Sequence, residues 1–142
     1  MSTDLYKEAI LDHFRHPRNR GDLLNANAQA RDANILCGDV VEMQLKIDHG
    51  RIEDVKFRGE GCAISQAAAS MLTEFCKGKA LSEMIGFRKE DIIALIGTDP
   101  GPARIECALL GLRVLKQAIY AYEEEGAPKD SAAADANMQT QN

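Results

Sequence analysis

The chain has 142 residues, a length that fits one domain able to bury its own core without disulfides or a structural metal. Its formal charge of −5 and its lack of a dense Lys/Arg cluster exclude a nucleic-acid-binding surface. It has no apolar run of about 18 residues and no secretory pattern at its start, so neither a membrane span nor export is predicted. We therefore expect a cytoplasmic protein whose four cysteines stay reduced and act as ligands, nucleophiles or core residues.

The first periodic stretch covers residues 4–15, whose apolar side chains recur at the spacing of an amphipathic helix that stops before Pro17. His13 has no partner at a ligand spacing and is predicted to be a surface or partly packed residue. Residues 21–36 lack periodicity and are predicted to form a loop, with at most one short strand near Ala28–Asp32.

A β-hairpin follows. Residues 40–47 alternate apolar and polar side chains, the period of a strand with one buried face. Residues 48–50 supply the turn, and the return strand runs from Ile52 to Arg58. Ile52 is out of phase with the later buried positions, which predicts a bulge near Glu53-Asp54.

The second half of the chain is predicted to be helical. A helix over Ile64–Lys77 has Ser65 as a candidate N-cap and Gly78 as its left-handed stop. Cys76 falls on the apolar stripe of this helix, where a small thiol packs well, so it is predicted to be a core residue.

Two short helices, Leu81–Ile85 and Glu90–Ile96, precede a Pro/Gly-rich loop that no helix crosses. The last helix has an apolar stripe from Ile105 to Tyr122 that is suited to packing across the sheet. Residues 1–126 are predicted to form the folded domain and residues 127–142, which are polar and low in complexity, a disordered tail.

Four residues form a candidate metal site: Cys37, Asp39, Cys62 and Cys107. Cys37 and Asp39 are two apart and would point to the same side of an extended segment. Cys62 and Cys107 each lie at a predicted helix start, where the helix dipole favours an exposed thiolate. Three thiolates and one carboxylate suit zinc or an iron–sulfur cluster, and the single oxygen ligand favours exchange of the metal. The alternative is that the cysteines fill separate gaps near turns.

The sequence resembles the iron–sulfur cluster assembly scaffold family, the IscU, SufU and NifU N-terminal-like proteins, from about Leu5 through Tyr122. The stretches that carry the resemblance are Ile10-Leu-Asp-His-Phe-Arg-His-Pro-Arg-Asn19, Cys37-Gly-Asp39, Ile52-Glu-Asp-Val-Lys-Phe57, Gly61-Cys-Ala-Ile-Ser65 and Ala103-Arg-Ile-Glu-Cys107. The resemblance implies an α+β fold in which a small antiparallel β-sheet is packed on one side by helices.

The resemblance also implies a function. The protein would accept sulfur from a PLP-dependent cysteine desulfurase, build a labile [2Fe–2S] cluster and pass it to apo iron–sulfur proteins. Cys37, Asp39, Cys62 and Cys107 match the family's ligands. Cys37 matches the sulfur acceptor of SufU-like members and Cys107 that of IscU-like members.

The scaffold is expected not to be an enzyme, with a sulfurtransferase-like accessory activity left open. Two alternatives to the scaffold stay open. One is a SufU-like, zinc-dependent sulfur-transfer protein, and the other is a purely structural zinc or metal-free interaction domain. Two departures from the IscU pattern also bear on function. Glu106 stands where IscU has a histidine, and Asp99-Pro-Gly-Pro-Ala-Arg104 replaces the chaperone-binding stretch Leu-Pro-Pro-Val-Lys.

Overall fold

The computed structural model describes residues 2–125. In chain order, this part of the protein contains α1 (Ser2–Arg15), β1 (Ala28–Asn34), β2 (Asp39–Asp48), β3 (Arg51–Glu60), α2 (Ala63–Cys76), α3 (Leu81–Ile85), α4 (Lys89–Ile96) and α5 (Ile105–Glu124). The predicted helices and the predicted hairpin are confirmed. The predicted tail, residues 127–142, lies outside the described residues, and the division at residue 126 stays a prediction.

The three strands form one antiparallel sheet in the order β1-β2-β3. The inward face of β2 carries Val41, Met43, Leu45 and Ile47, all buried, as the alternation predicted. The register between β2 and β3 shifts after Lys46, which leaves one extra residue on β3 at the predicted bulge.

Strand β1 is longer than expected from the sequence, because it continues past Asp32 to Asn34. Its residues have low intrinsic strand preference, but each pairs with β2, from Ala28 opposite Leu45 to Asn34 opposite Asp39. The hydrogen bonds between β1 and β2, and the burial that this pairing brings, outweigh the low strand preference of the β1 residues.

Helices cover one face of the sheet. Helix α5 packs along β1 and β2, while α2 packs between α5 and α1. The two central helices approach closely: a Cβ atom at Gly111 would lie 3.2 Å from the Cα of Ala69. The small residues of both helices therefore set the thickness of the core, and the predicted α+β architecture is confirmed.

The outer edge of β3 is already paired with other parts of the chain. Phe57 donates its N–H to the carbonyl of Asn19 at 2.8 Å and accepts the N–H of Gly21 at 3.0 Å. Nearer the hairpin, Ile52 exchanges backbone hydrogen bonds with Lys79 and Gly78. At these two positions the outer backbone groups of the edge strand are therefore already hydrogen-bonded. Among residues 2–125, no helix is both long and apolar enough to cross a membrane.

Candidate metal and sulfur site

Three separate parts of the chain meet at one end of the sheet. The β1–β2 turn carries Cys37 and Asp39, the β3–α2 junction carries Cys62, and the first turn of α5 carries Cys107.

The prediction that Cys37 and Asp39 share an extended segment is wrong. Cys37 and Gly38 lie in a tight turn in which both N–H groups donate to the carbonyl of Asn34, at 3.1 and 2.9 Å, and Gly38 has a φ of +72°. The turn, not the strand pleat, brings the two side chains to one point.

The turn places Cys37 against Cys107. The Cys107 thiol donates to the Cys37 sulfur across 3.4 Å, and the ligand atoms of Cys37, Asp39 and Cys107 all lie within 4.8 Å of one another. Cys37 is exposed, whereas Asp39 and Cys107 have no exposed surface. Three of the four predicted ligands therefore form one compact group with a single solvent-facing member.

Asp39 links this group to the fourth predicted ligand. One of its carboxylate oxygens accepts the N–H of Cys62 at 2.8 Å, and the other lies 3.9 Å from the Cys62 sulfur. Gly61 has a φ of +140°, and a Cβ atom there would collide with the Asp39 carboxylate. The β3–α2 junction thus needs glycine both for its backbone and for the close approach of Asp39.

Cys62 has a second role as the N-cap of α2. Its sulfur accepts the N–H of Ser65 at 3.4 Å, so it lies beside the compact group rather than within it. The prediction of Ser65 as N-cap is wrong, because Ser65 is buried inside the helix and its hydroxyl donates to the carbonyl of Cys62.

Cys107 departs from the expected exposed thiolate. Burial, followed by hydrogen bonds with Cys37, Asp39 and Cys62, raises the pKa of the Cys107 thiol well above its ordinary value. The thiol is therefore protonated near neutral pH, and a metal ion that binds there must displace this proton.

Two neighbours of the site were not singled out from the sequence. The exposed Arg104 precedes α5, and interaction with the Cys62 sulfur, then with those of Cys107 and Cys37, raises the pKa of its guanidinium. Asn34 donates its side-chain N–H to the Cys107 sulfur at 3.8 Å. The sequence signal for Arg104 was its position, a cation three residues before a predicted ligand at a helix start. No sequence signal indicated Asn34.

Cys76 and Glu106 are not members of the compact group. Cys76 is buried, which raises the pKa of its thiol to about 12, and its prediction as a core residue is confirmed. Glu106 is exposed and lies 3.7 Å from Arg113, which also contacts Asp32 at 3.1 Å.

His13 is part of the packing between α1 and α2. Its ring lies 2.8 Å from the Ser70 hydroxyl and 3.8 Å from Glu74, so it is the partly packed residue that the sequence predicted.

The donor atoms suit a metal. A tetrahedral zinc ion with Zn–S bonds of about 2.3 Å separates its sulfur ligands by about 3.8 Å. The 3.4 Å between the Cys37 and Cys107 sulfurs is close to that separation. A carboxylate within 4.8 Å adds an oxygen donor of negative charge. Cys37, Asp39 and Cys107 thus fit zinc or iron, with Cys62 adjacent as a further thiol.

The fold and the site together define a class of protein: a small α+β domain that holds three thiols and one carboxylate at one end of its sheet. The family of NifU-like N-terminal domains matches residues 5–128, and the chain belongs to this family.

Individual relatives agree with this assignment. The chain is 38% identical over 139 residues to the zinc-dependent sulfurtransferase SufU of Bacillus subtilis, with 86% of this chain and 92% of the relative covered. It is 40% identical over 119 residues to the iron–sulfur cluster assembly scaffold protein IscU of Aquifex aeolicus, with 82% and 75% covered. A crystal structure described as a putative scaffold protein for the SUF system from Fervidobacterium islandicum superposes with a TM-score of 0.72 at 30% identity, covering 84% of this chain and 99% of that one.

Proposed function

We propose that this protein is an iron–sulfur cluster assembly scaffold, which accepts sulfur from a cysteine desulfurase and combines it with iron into a labile [2Fe–2S] cluster. The observation that carries the proposal is the compact group of Cys37, Asp39 and Cys107 with Cys62 beside it, at an end of the sheet where one thiol faces solvent. Sulfur ligands of this kind hold iron–sulfur clusters in proteins.

The role of each residue follows from its setting. Cys37, Cys62 and Cys107 would bind the cluster through sulfur and Asp39 through oxygen. Asp39 already uses one oxygen to accept the Cys62 N–H, which leaves the other for metal. An oxygen donor among sulfurs binds soft metals less firmly than a fourth thiolate, so Asp39 is the ligand suited to release when the cluster is transferred.

Cys37 is the proposed first sulfur acceptor. Its thiol is exposed on a turn, whereas Cys107 is buried behind it and Cys62 caps a helix. A partner that delivers sulfur must reach the receiving thiol, and exposure favours Cys37 over the other two. We further propose that the partners are a PLP-dependent desulfurase and apo iron–sulfur proteins, and that the protein works in the cytoplasm.

A second function is supported by the similarity to the Bacillus subtilis protein. In this alternative the site holds zinc, and the protein accelerates the desulfurase by removing its persulfide sulfur. When bound, zinc would lower the pKa values of its thiol ligands and keep them deprotonated. The 38% identity to a relative named as a zinc-dependent sulfurtransferase favours this alternative.

One experiment separates the two functions. The metal-free protein is incubated anaerobically with ferrous iron, cysteine and a purified cysteine desulfurase, and the visible spectrum is followed. A scaffold develops thiolate-to-iron charge-transfer bands, and these are lost in Cys37→Ser but kept in Cys76→Ala, the control for a cysteine outside the site. Absence of the bands, together with desulfurase turnover that rises only when zinc is bound, would favour the alternative.

A further inference from the structure

The contact between the exposed Cys37 and the buried Cys107 has the arrangement of a reactive thiol and its resolving partner. We propose that Cys107 attacks the inner sulfur of a persulfide on Cys37, releases the outer sulfur as sulfide and leaves a Cys37–Cys107 disulfide. This inference rests on the proposed function, because it gives a fate to sulfur delivered at Cys37. It distinguishes the two candidate acceptors by role: Cys37 receives the sulfur, and Cys107 attacks the persulfide, so that the two thiols together supply the two electrons that reduce it.

The geometry favours attack on the inner sulfur. The two sulfurs are 3.4 Å apart, and the bond of a disulfide is about 2.05 Å, so the sulfurs need to approach by about 1.4 Å. The turn that carries Cys37 can supply this movement, because its Ile35 and Leu36 side chains are 88% and 98% exposed and pack against little else. An outer sulfur on the exposed Cys37 has room to point to solvent, opposite the attacking Cys107.

No other cysteine is as well placed to resolve Cys37. The Cys62 sulfur is held by the N–H of Ser65 at 3.4 Å and lies outside the compact group. Cys76 is buried in α2, and its thiol donates to the carbonyl of Thr73. The Cys107 sulfur, by contrast, lies 3.4 Å from the Cys37 sulfur, and its thiol donates to that sulfur.

The step balances in atoms and electrons. The Cys107 sulfur forms a bond to the Cys37 sulfur, the bond between the inner and outer sulfurs breaks, and its electron pair leaves with the outer sulfur as hydrosulfide. The Cys107 thiol proton is lost to the departing hydrosulfide, which leaves as hydrogen sulfide. The two thiols are oxidised to a disulfide while the sulfane sulfur is reduced to sulfide, the oxidation state found in a cluster. A low-molecular-weight thiol then reduces the disulfide by exchange and restores both thiols.

The first test needs no desulfurase. The metal-free, full-length protein is treated anaerobically with less than one equivalent of Ellman's reagent, which first forms a mixed disulfide at the exposed Cys37. If Cys107 resolves this adduct, each reagent molecule releases two thionitrobenzoate ions, and peptide mass spectrometry finds a Cys37–Cys107 disulfide. Cys107→Ser should halve the release and keep the adduct on Cys37, while Cys76→Ala should behave as the wild type.

A stable mixed disulfide on Cys37 of the wild-type protein would overturn the inference. This result requires no variant, so it stands even if Cys107→Ser fails to fold.

The second test uses a purified desulfurase and one equivalent of cysteine per protein, with no other thiol, so that the desulfurase consumes the only small thiol that could reduce the disulfide. Wild-type protein should release sulfide and acquire the disulfide, whereas Cys107→Ser should hold a persulfide on Cys37 and release none. A persulfide that accumulates on Cys37 or on Cys107 of the wild type, with no disulfide, overturns the inference and leaves the proposed function intact. If no cysteine acquires sulfur in the wild type or in Cys107→Ser, the proposed function fails. The test with Ellman's reagent then decides whether Cys107 resolves an adduct on Cys37.

Discussion

Replacement of Gly61 by alanine tests whether the close approach of Asp39 holds the site together. The added Cβ atom would collide with the Asp39 carboxylate and lie 2.8 Å from the Asp39 Cα. The backbone there has a φ of +140°, which L side chains rarely adopt. Strain of this kind costs about 1–3 kcal/mol, and overpacking costs about 1–3 kcal/mol more. We expect a loss of about 2–6 kcal/mol, a large part of the 5–15 kcal/mol by which domains are typically stable.

The matched control is Gly50→Ala, in the turn between β2 and β3. Gly50 also has a positive φ, +73°, but a Cβ atom there would meet nothing within 4 Å. Its left-handed strain costs about 1–2 kcal/mol with no collision. Urea unfolding followed by circular dichroism gives both free energies, and titration with Co²⁺ gives the metal affinity. Gly61→Ala should be the less stable variant and bind Co²⁺ more weakly. Equal stability and equal Co²⁺ affinity of the two variants would refute the reasoning.

Three further predictions concern the rest of the fold. Burial, followed by the charge of Arg18, lowers the pKa of His13 in the folded protein. As the pH drops below about 6.5, His13 is therefore protonated first in the unfolded chain, and the stability of the wild type should fall. The urea unfolding midpoints measured at pH 7.5 and 5.5 should differ less in His13→Gln than in the wild type. An equal difference in the two proteins would contradict this prediction. Gly111→Val should lower the free energy of unfolding by about 1–3 kcal/mol, because the larger side chain forces α5 away from Ala69. An unchanged melting temperature in calorimetry would argue against such tight packing. Cys76 should resist iodoacetamide in native protein and react in urea, with Cys37 as the fast-reacting internal comparison, since the Cys76 thiol is buried and its pKa is about 12.

Periodicity in the sequence was sufficient for most of the fold. The alternation in β2 and the stripes of α2 and α5 report directly which face is buried, and the out-of-phase Ile52 located the bulge. The full length of β1 was not predictable, because its pairing with β2 is a contact between segments rather than a property of its own residues.

The candidate site shows the same division. Ligand types and helix starts indicated Cys62 and Cys107, and the Cys-Gly-Asp stretch indicated Cys37 and Asp39. The burial of Cys107 and the turn at Gly38 were missed, since both depend on how the β1–β2 turn folds over the start of α5. Residue types and their spacing indicate which groups are chemically suited to bind a metal. How deeply each group is buried depends on tertiary packing.

The paired outer edge of β3 has a consequence for the behaviour of the protein at high concentration. An unpaired strand edge is a template on which a second molecule can add a strand and begin to aggregate. Here Asn19, Gly21, Gly78 and Lys79 already occupy backbone groups of Phe57 and Ile52. None of these residues is a candidate ligand, so the protection of this edge does not depend on what the sulfur site holds. Preparations that gain or lose metal should therefore remain equally resistant to strand-mediated association through β3.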